Sequence, residues 1–449
     1  MKGFRAMGRR LTRQDFLLLS AGAGAGLVLA GCGGGPQSNP AVQGAGGGGG
    51  KTYDGPKVDL AFWNGFTGGE KPFMTKMVGD FNSQNKNINV SMNIVDWTVY
   101  YEKVPAAVNT GEGPDVGIMH ADQIGTNAAR AVVIPLDDVA NALNLKESDF
   151  TPLVWNAGIY NNQRYGIPLD IHPLGFYYNK GTMEKAGLDP NNPPETRDDY
   201  EAALEELKGA GIEGHWMSPF EFTGVLTFET LLWQFGGDLY NEGVTKATFN
   251  SDAGVEALDW MVSFVEKGYS PKNVAQDAEF TAFQNGDNAF MWNGIWNINP
   301  LNAVDGLDWG VSPLPQIGTQ KATWAGSHNF VVMNKRPLDD NKVQASKVFI
   351  NWISERSAEY AKAGQIPARR SARESQTFKN LEEQSTLAKQ IPYVHFIPAV
   401  PGISDVGPTT FFKAVNEAVL LKTEPKAALD AAAERADQLL EENRQKYQA

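Results

Sequence analysis

Short strand-like segments separated by helical stretches fill the chain beyond residue 57, and they constrain its fold more than any other feature. Residues 58–63, 88–95 and 115–119 read as short strands, whereas residues 73–81 and 100–108 carry apolar side chains at helical spacing. Strands separated by helices form right-handed βαβ units in a mainly parallel sheet. The sequence therefore predicts an α/β fold whose ligands lie in loops beyond the carboxyl ends of the strands.

Length, charge and cysteine content narrow the class of protein. The chain has 449 residues, more than the roughly 250–300 at which a single hydrophobic core usually divides, so we expect two lobes. Its formal net charge of −13 argues against a nucleic-acid partner, which would require a basic face. The single cysteine excludes an intramolecular disulfide framework.

The first 31 residues form a leader that is considered apart from the fold. A basic start precedes an apolar run over residues 16–30, which is shorter than the roughly 20 residues that a membrane-spanning helix needs. The run ends in LAGC (29–32), which resembles a bacterial lipobox, so we expect residues 1–31 to be removed as a lipoprotein-type signal peptide and Cys32 to carry a membrane anchor. The alternative is a buried structural cysteine behind an ordinary signal peptide. Residues 12–17 resemble a twin-arginine motif with Gln14 at the second arginine, which leaves the export route open.

The segment 32–56 is predicted to be a flexible tether. It is rich in glycine and polar residues and cannot bury a core. Together with the leader it predicts an exported protein held at the membrane by a lipid, facing the periplasm or the extracellular side.

Nine motifs, in order along residues 57–449, carry a resemblance to a known family. They are LAFWNGFT (60–67), GEGPDV (111–116), YGIPLD (165–170), FYYNK (176–180), LWQFGG (232–237), AFQNG (282–286), NGIW (293–296), WAGSH (324–328) and GQIPA (364–368). This series resembles the extracellular solute-binding proteins of the maltose and multiple-sugar class. The resemblance implies a monomeric binding protein that is not an enzyme and needs no cofactor, that captures a neutral carbohydrate, and that delivers it to the permease of an ATP-driven importer.

The same resemblance implies a periplasmic-binding-protein-like fold, in which two α/β lobes are joined by crossing segments and close on the ligand. We expect the crossings near residues 169–173, near residues 315–321 and shortly after Arg370. The N-terminal lobe would hold residues 57–170 and 322–370, and the C-terminal lobe residues 171–321 and 371–449.

Four tryptophans lie at or next to the motif loops, and a sugar presents a flat apolar face on which an indole can stack. Trp296 matches the stacking tryptophan of the family, and Trp324, Trp63 and Trp292 are further candidates. The alternative for each is ordinary packing in a core or an interface.

Three polar candidates lie near the predicted cleft floor. Asp122 matches a family position that holds sugar hydroxyls, although it could instead cap a helix. An arginine often follows this aspartate in maltose-binding members, and Gln123 in that place argues against maltose itself. Asp170 and His172 flank the first crossing. Asp170 could simply brace the hinge, and His172 is a candidate for selectivity.

Three more polar candidates come from later loops. Glu221 lies in a loop that resembles the sugar-contacting loop of the C-terminal lobe, but it could equally be a solvated turn residue. Ser327 and His328 follow Gly326 in the return to the N-terminal lobe, where His328 could contact ligand or be an ordinary polar residue.

Two other functions remain open from the residues alone. A secreted glycosidase would need two opposed carboxylates, which Asp122, Asp170 and Glu221 could supply. An importer component for an anionic solute, such as a glycerophosphodiester, would need lysine or arginine in the cleft loops, and the predicted loops contain neither. The five histidines, at 120, 172, 215, 328 and 395, show no metal-ligand spacing, so no metal site is expected.

Overall fold

The computed structural model describes residues 51–447. Cys32, the predicted signal peptide and most of the predicted tether lie outside this range. Within this range, no helix is both long enough and apolar enough to cross a membrane.

The strands and helices alternate over the first part of the described chain, as predicted. The strands are β1 (Val58–Asn64), β2 (Ile88–Ile94), β3 (Val116–His120), β4 (Ile159–Tyr160), β5 (Gln163–Arg164), β6 (Ile167–Pro168), β7 (Asp170–Asn179), β8 (Glu213–His215), β9 (Asn288–Gly294), β10 (Trp309–Ser312), β11 (Thr323–Gly326), β12 (His328–Val332), β13 (Ile366–Pro367) and β14 (Val394–His395).

The helices vary from single turns to the long helix that ends the described chain. They are α1 (Glu70–Gln84), α2 (Trp97–Asn109), α3 (Ala121–Ala129), α4 (Asp137–Ala142), α5 (Pro152–Ala157), α6 (Lys180–Lys185), α7 (Arg197–Gly209), α8 (Leu226–Gln234), α9 (Asp252–Glu266), α10 (Ala278–Asn285), α11 (Ile298–Asn302), α12 (Asp340–Glu355), α13 (Ser357–Tyr360), α14 (Arg370–Arg373), α15 (Gln376–Lys379), α16 (Glu382–Leu387), α17 (Val406–Thr409), α18 (Phe411–Val419) and α19 (Pro425–Tyr447).

The first sheet has the strand order β2-β1-β3-β12-β6. Strands β1, β2 and β3 are parallel, which confirms the predicted βαβ units, whereas β12 runs antiparallel to both of its neighbours. Helix α12 covers one face of the sheet, where the Phe62 and Phe349 rings meet edge to face at 5.2 Å. Helix α2 begins at the carboxyl end of β2, and the Asp96 carboxylate caps it by accepting a hydrogen bond from the Thr98 amide.

The second sheet has the order β14-β11-β7-β9-β8, with β10 and β13 also paired to β7. Here the prediction of a mainly parallel sheet is wrong: β9, β10, β11 and β13 all pair antiparallel with β7, and only β8–β9 and β11–β14 are parallel. The periodicity of a strand reports which faces are buried but carries no information on the direction of its neighbours. The central strand β7 is buried along nearly its whole length, because helices cover this sheet too.

The chain passes between the two sheets at single residues. Leu169 separates β6 from β7, and Ser327 separates β11 from β12. The two passages are hydrogen bonded to each other, since the Leu169 amide donates to the His328 carbonyl at 2.8 Å. The ends of both sheets meet at these two passages.

Candidate functional site

The site begins with a pair of histidines in adjacent strands. His120 ends β3 and stands at the N-terminus of α3, and His328 begins β12. The antiparallel register places His120 directly opposite His328, so that their ring centroids are 4.8 Å apart. Cross-strand partners lie on the same face of a sheet, and both imidazoles therefore project together at the edge where the parallel strands end.

A third histidine joins them from the second sheet. His172 lies on β7, two residues after Asp170, so both side chains lie on the same face of that strand. The centroid of the His172 ring is 4.3 Å from that of His328 and 5.6 Å from that of His120. Gly326 of β11 pairs with His172, and a Cβ at position 326 would come within 2.2 Å of the His172 Nε2 atom. Glycine at this position therefore leaves room for the His172 ring.

Asp170 holds two of these rings in place. Its fully buried carboxylate accepts hydrogen bonds from the His328 amide at 2.9 Å, from His328 Nδ1 at 2.8 Å and from His172 Nδ1 at 3.1 Å. Because an ionised carboxylate can only accept hydrogen bonds, Nδ1 of each ring carries a proton, and Asp170 fixes the orientation of both imidazoles.

Burial sets the charge of these groups. It lowers the pKa of His172 to about 4, with the neighbouring His328 acting in the same direction, and it lowers the pKa of His120 well below its ordinary value. Burial alone would raise the pKa of Asp170, but His328 and the hydrogen bonds from both rings outweigh it and bring that pKa below its usual range. At neutral pH, Asp170 is ionised, and His120 and His172 are neutral.

Two tryptophans stand beside the histidines on the side of the second sheet. The His172 ring centroid is 6.3 Å from that of Trp296 and 5.9 Å from that of Trp324, and the two indoles lie nearly perpendicular at 6.4 Å. Both indoles are half-buried. Trp296 lies over Gly294 so closely that a Cβ there would be 2.1 Å from the indole ring. Glycine at this motif position makes room for the ring.

The aromatic wall on the side of the first sheet was missed by the sequence analysis. Trp97, the first residue of α2, stacks on His328 with ring centroids 5.7 Å apart and planes 13° apart, and it also stacks on Tyr101. Gly65 leaves the space for its ring, since a Cβ there would lie 2.1 Å from the indole. One signal could have identified Trp97: it follows β2, whose carboxyl end lies at the same edge of the sheet as those of β1 and β3.

His120 was likewise not among the predicted ligand-binding residues. Its Nδ1 lies 2.5 Å from the Tyr101 hydroxyl, which also accepts a hydrogen bond from the His120 amide. One nitrogen from each of His120, His172 and His328 lies within 4.8 Å of the others. These three residues are far apart in sequence, and they meet where the two sheets join.

Comparison with known proteins gives the family of this chain. A model of the bacterial extracellular solute-binding proteins matches residues 76–386. The chain belongs to this family. It is an exported binding protein and not an enzyme, as predicted, and the glycosidase alternative finds no support.

Individual relatives are distant but match over most of their length. The sn-glycerol-3-phosphate-binding periplasmic protein UgpB of Escherichia coli is 23% identical over 412 residues, which cover 85% of this chain and 92% of the relative. The crystal structure of the cyclic alpha-maltosyl-1,6-maltose binding protein of Arthrobacter globiformis gives a TM-score of 0.74 at 22% identity, and it covers 86% of this chain and 100% of that one. The GacH receptor of Streptomyces glaucescens, solved unliganded and with acarbose, gives 0.77 at 21% identity, covering 86% and 99%. These structures confirm the periplasmic-binding-protein fold.

One predicted ligand-binding residue of this solute-binding protein lies in the hydrophobic core and not beside the histidines. Trp292 is only 1% exposed and packs against Tyr200 and Trp260, so its candidacy for ligand stacking is wrong. It lies within β9, whose two faces are both covered, whereas Trp296 follows that strand in a short 3-10 turn. Ser327 is also fully buried, at the passage between the sheets, and its hydroxyl lies 3.5 Å from the His328 carbonyl.

Asp122 and Trp63 both lie near the carboxyl ends of strands in the first sheet. Asp122 is in the first turn of α3 and does not cap the helix, since His120 occupies that place. Burial raises the pKa of Asp122 to about 6, and its carboxylate accepts a hydrogen bond from Gln123. Trp63 is half-buried on β1, with the Lys103 ammonium 5.5 Å from its ring centroid.

Glu221 begins a short π-helical turn, Glu221–Val225, that leads into α8. Its side chain lies outside the described part of the structure, so its predicted contact with ligand remains a prediction.

Proposed function

We propose that this solute-binding protein captures a neutral di- or oligosaccharide between its two lobes and delivers it to the permease of an ATP-driven importer. One observation carries the proposal: two half-buried indoles, Trp296 and Trp324, stand beside the His172 ring, which the buried Asp170 carboxylate holds in place. A sugar ring has apolar CH groups on its faces and hydroxyl donors around its rim. Both kinds of group find partners of the right chemistry here.

The polar groups fit hydroxyl donors better than they fit an anion. Asp122 supplies a carboxylate acceptor on the first turn of α3, two residues after His120. The five predicted cleft segments, 119–123, 169–175, 218–224, 292–299 and 324–330, contain no lysine or arginine. An anionic solute would find no lysine or arginine partner in these segments. The relative UgpB, in contrast, is named for an anionic ligand, sn-glycerol-3-phosphate. The names of the structural neighbours, cyclic alpha-maltosyl-1,6-maltose and acarbose, agree with a carbohydrate.

The remaining predictions on organisation belong to the same proposal. The protein acts as a monomer, with residues 32–56 as a tether whose first residue, Cys32, is the lipid attachment site. The lobes comprise residues 57–170 with 322–370, and 171–321 with 371–449. Strand pairing on the two sides of Leu169 supports the first boundary. At the second boundary, β11 and β13 pair with β7 and so belong to the second sheet.

A thermal-shift screen of the purified protein against mono-, di- and trisaccharides tests the proposal. A ligand that binds only the folded state adds about 2.7 kcal/mol of apparent stability at a hundredfold excess over Kd. We expect at least one oligosaccharide to raise Tm, and glycerol 3-phosphate to leave it unchanged. The Kd of the sugar should also be nearly independent of salt. If only phosphate-bearing solutes raise Tm, and their Kd depends steeply on salt, the protein binds an anionic solute and not a neutral sugar.

A further inference from the structure

Helix α3, which follows β3 of the first sheet, touches a segment that belongs to the body of the second sheet. This segment lies beyond β14 and includes the short 3-10 turn Ile403–Asp405, whose Ile403 side chain is buried in the core around the second sheet. A Cβ on Gly125 would lie 2.4 Å from the Ala399 carbonyl oxygen, so the helix and the segment meet at their backbones. In the proposed division of the chain, this contact joins the two lobes.

Two polar contacts, one helical turn apart, hold this junction. The Thr126 hydroxyl accepts a hydrogen bond from the Gly402 amide at 2.9 Å. Oε1 of Gln123 accepts one from the Ser404 hydroxyl at 3.3 Å. Positions 123 and 126 are three residues apart and therefore lie on the same face of α3. If the lobes separate along this face, both contacts are lost.

Gln123 also contacts the carboxylate that is proposed to bind sugar hydroxyls. Its Nε2 atom donates a hydrogen bond to Asp122 Oδ2 at 3.1 Å. An ionised carboxylate only accepts hydrogen bonds, so the amide nitrogen has to face Asp122, and the amide oxygen is left for Ser404. The two bonds thus select the same orientation of the amide. A carboxylate has about four acceptor positions, so the bond from Gln123 leaves others for a sugar hydroxyl.

We propose that Gln123 is a positioning residue for sugar capture: it orients the Asp122 carboxylate and is itself oriented by Ser404 of the other lobe. The inference rests on the proposed function, because it takes Asp122 as a ligand of the sugar. Closure of the lobes brings Ser404 to the amide and so favours the orientation in which the carboxylate is hydrogen bonded. A contact that exists in only one of two states shifts the equilibrium towards that state. The closed lobes and the aligned carboxylate therefore stabilise each other.

The other ionisable groups around Asp122 come from three elements. His120 precedes it at the end of β3, and burial keeps that imidazole neutral. On α2, burial and the Asp122 charge both raise the pKa of the Tyr101 hydroxyl, which stays protonated at neutral pH. At the far end of α3, Arg130 lies 4.0 Å from Asp405 of the 3-10 turn, so these two charges largely offset each other.

The first measurement needs no sugar and follows the carboxyl ¹³C signal of Asp122 with pH in full-length protein. Burial raises the pKa of Asp122, and the hydrogen bond from Gln123 opposes that rise. Gln123→Met, which keeps the length of the side chain without its amide, should therefore raise this pKa by about 0.5–1. Ser404→Ala should raise it by roughly half as much, since the amide loses the group that orients it.

Thr126→Val is the matched control, because it breaks the other contact of the same junction without touching Gln123. It should leave the pKa of Asp122 unchanged, whatever it does to stability. Where Gln123→Met fails to fold, Gln123→Glu takes its place, since it also lacks the donor. An Asp122 pKa that does not rise in the Gln123 and Ser404 variants, or that rises equally in Thr126→Val, would overturn the proposal.

The second measurement is calorimetric titration with the oligosaccharide that raises Tm most in the screen. At pH 7.5, Gln123→Met should weaken binding about 10-fold and Ser404→Ala about threefold. At pH 6 both losses should be larger, because Asp122 is protonated at a higher pH in these variants than in the wild type. Losses that are the same at both pH values would show that Gln123 acts only in packing. The absence of any sugar that binds would overturn the proposed function, whereas the ¹³C measurement judges the link from Ser404 to Asp122 by itself.

Discussion

Replacing Asp170 by asparagine changes the protonation pattern of the site in a way that the hydrogen bonds specify. Oδ1 of the carboxylate accepts from both the His328 amide and His172 Nδ1, whereas Oδ2 accepts only from His328 Nδ1. The amide oxygen of asparagine must take the Oδ1 position, because a backbone N–H cannot become an acceptor. The NH₂ group then faces His328 Nδ1. We expect His328 to adopt the opposite tautomer, with its proton on Nε2, while His172 keeps its own.

The magnitude follows from the same three bonds. A hydrogen bond to a charged group contributes about 1.5–3 kcal/mol, against about 0.5–1.5 kcal/mol for a neutral pair, so the loss is about 1 kcal/mol for each bond. Removing a charge from the interior offsets part of this total. We therefore expect the free energy of unfolding to fall by about 1–3 kcal/mol, measured by urea titration.

Long-range ¹H–¹⁵N correlation spectra report the tautomer directly, and five histidines give a spectrum simple enough to assign. Asp115→Asn is the control: this buried carboxylate pairs with Lys335 and Lys342 at the opposite end of β3, so its loss should reduce stability and leave all histidine signals unchanged. The reasoning is refuted if His328 in the Asp170 variant still carries its proton on Nδ1, or if wild-type His172 carries its proton on Nε2.

Three further predictions concern other parts of the chain. Trp296→Ala should weaken sugar binding about thirty- to hundredfold by calorimetry, since roughly 80–120 Å² of shielded apolar surface corresponds to about 2–3 kcal/mol; binding within threefold of wild type would make Trp296 a packing residue. Burial lowers the pKa of His215 to about 3. The contribution of neutral His215 to the free energy of unfolding is therefore fully present above about pH 6.5, and it falls by about 2 kcal/mol at pH 5. His215→Gln should remove that part of the acid sensitivity in urea titrations at pH 7.5 and 5, and an unchanged pH slope would contradict this account. Cys32→Ser should release the protein from the membrane fraction, and a processed variant that still sediments with membranes would exclude the lipid anchor.

The sequence predicted those parts of the fold that depend on local patterns. Alternation and helical spacing correctly located β1 to β3 and the helices between them, because each pattern reflects one buried face. Strand direction around β7 was not predictable in the same way, since it depends on which distant segments pair with it. The two tryptophans Trp292 and Trp296 illustrate the same limit. Both lie in or next to one motif, but β9 ends between them, so Trp292 is buried in the core and Trp296 is half-buried beside His172.

The histidine cluster shows why the site was harder to predict than the fold. No local spacing relates His120 to His172 or His328. Their proximity requires both the register of β12 against β3 and the passage of the chain between the sheets at Leu169. A motif match could place His172 and His328 near a cleft. It could not reveal that one carboxylate holds both of these rings.

The position of β12 between β3 and β6 has a consequence for how the molecule is made. This strand is synthesised last of the five in its sheet, after nearly all of the second sheet, yet it fills the gap between two strands that precede it by some 160 residues or more. Until it inserts, β3 and β6 present unpaired edges and His120 has no neighbour from β12. Pairings between such distant segments form slowly. A chain that ends before residue 328 therefore lacks the pairing that places His328 opposite His120, and such a fragment cannot form the complete site.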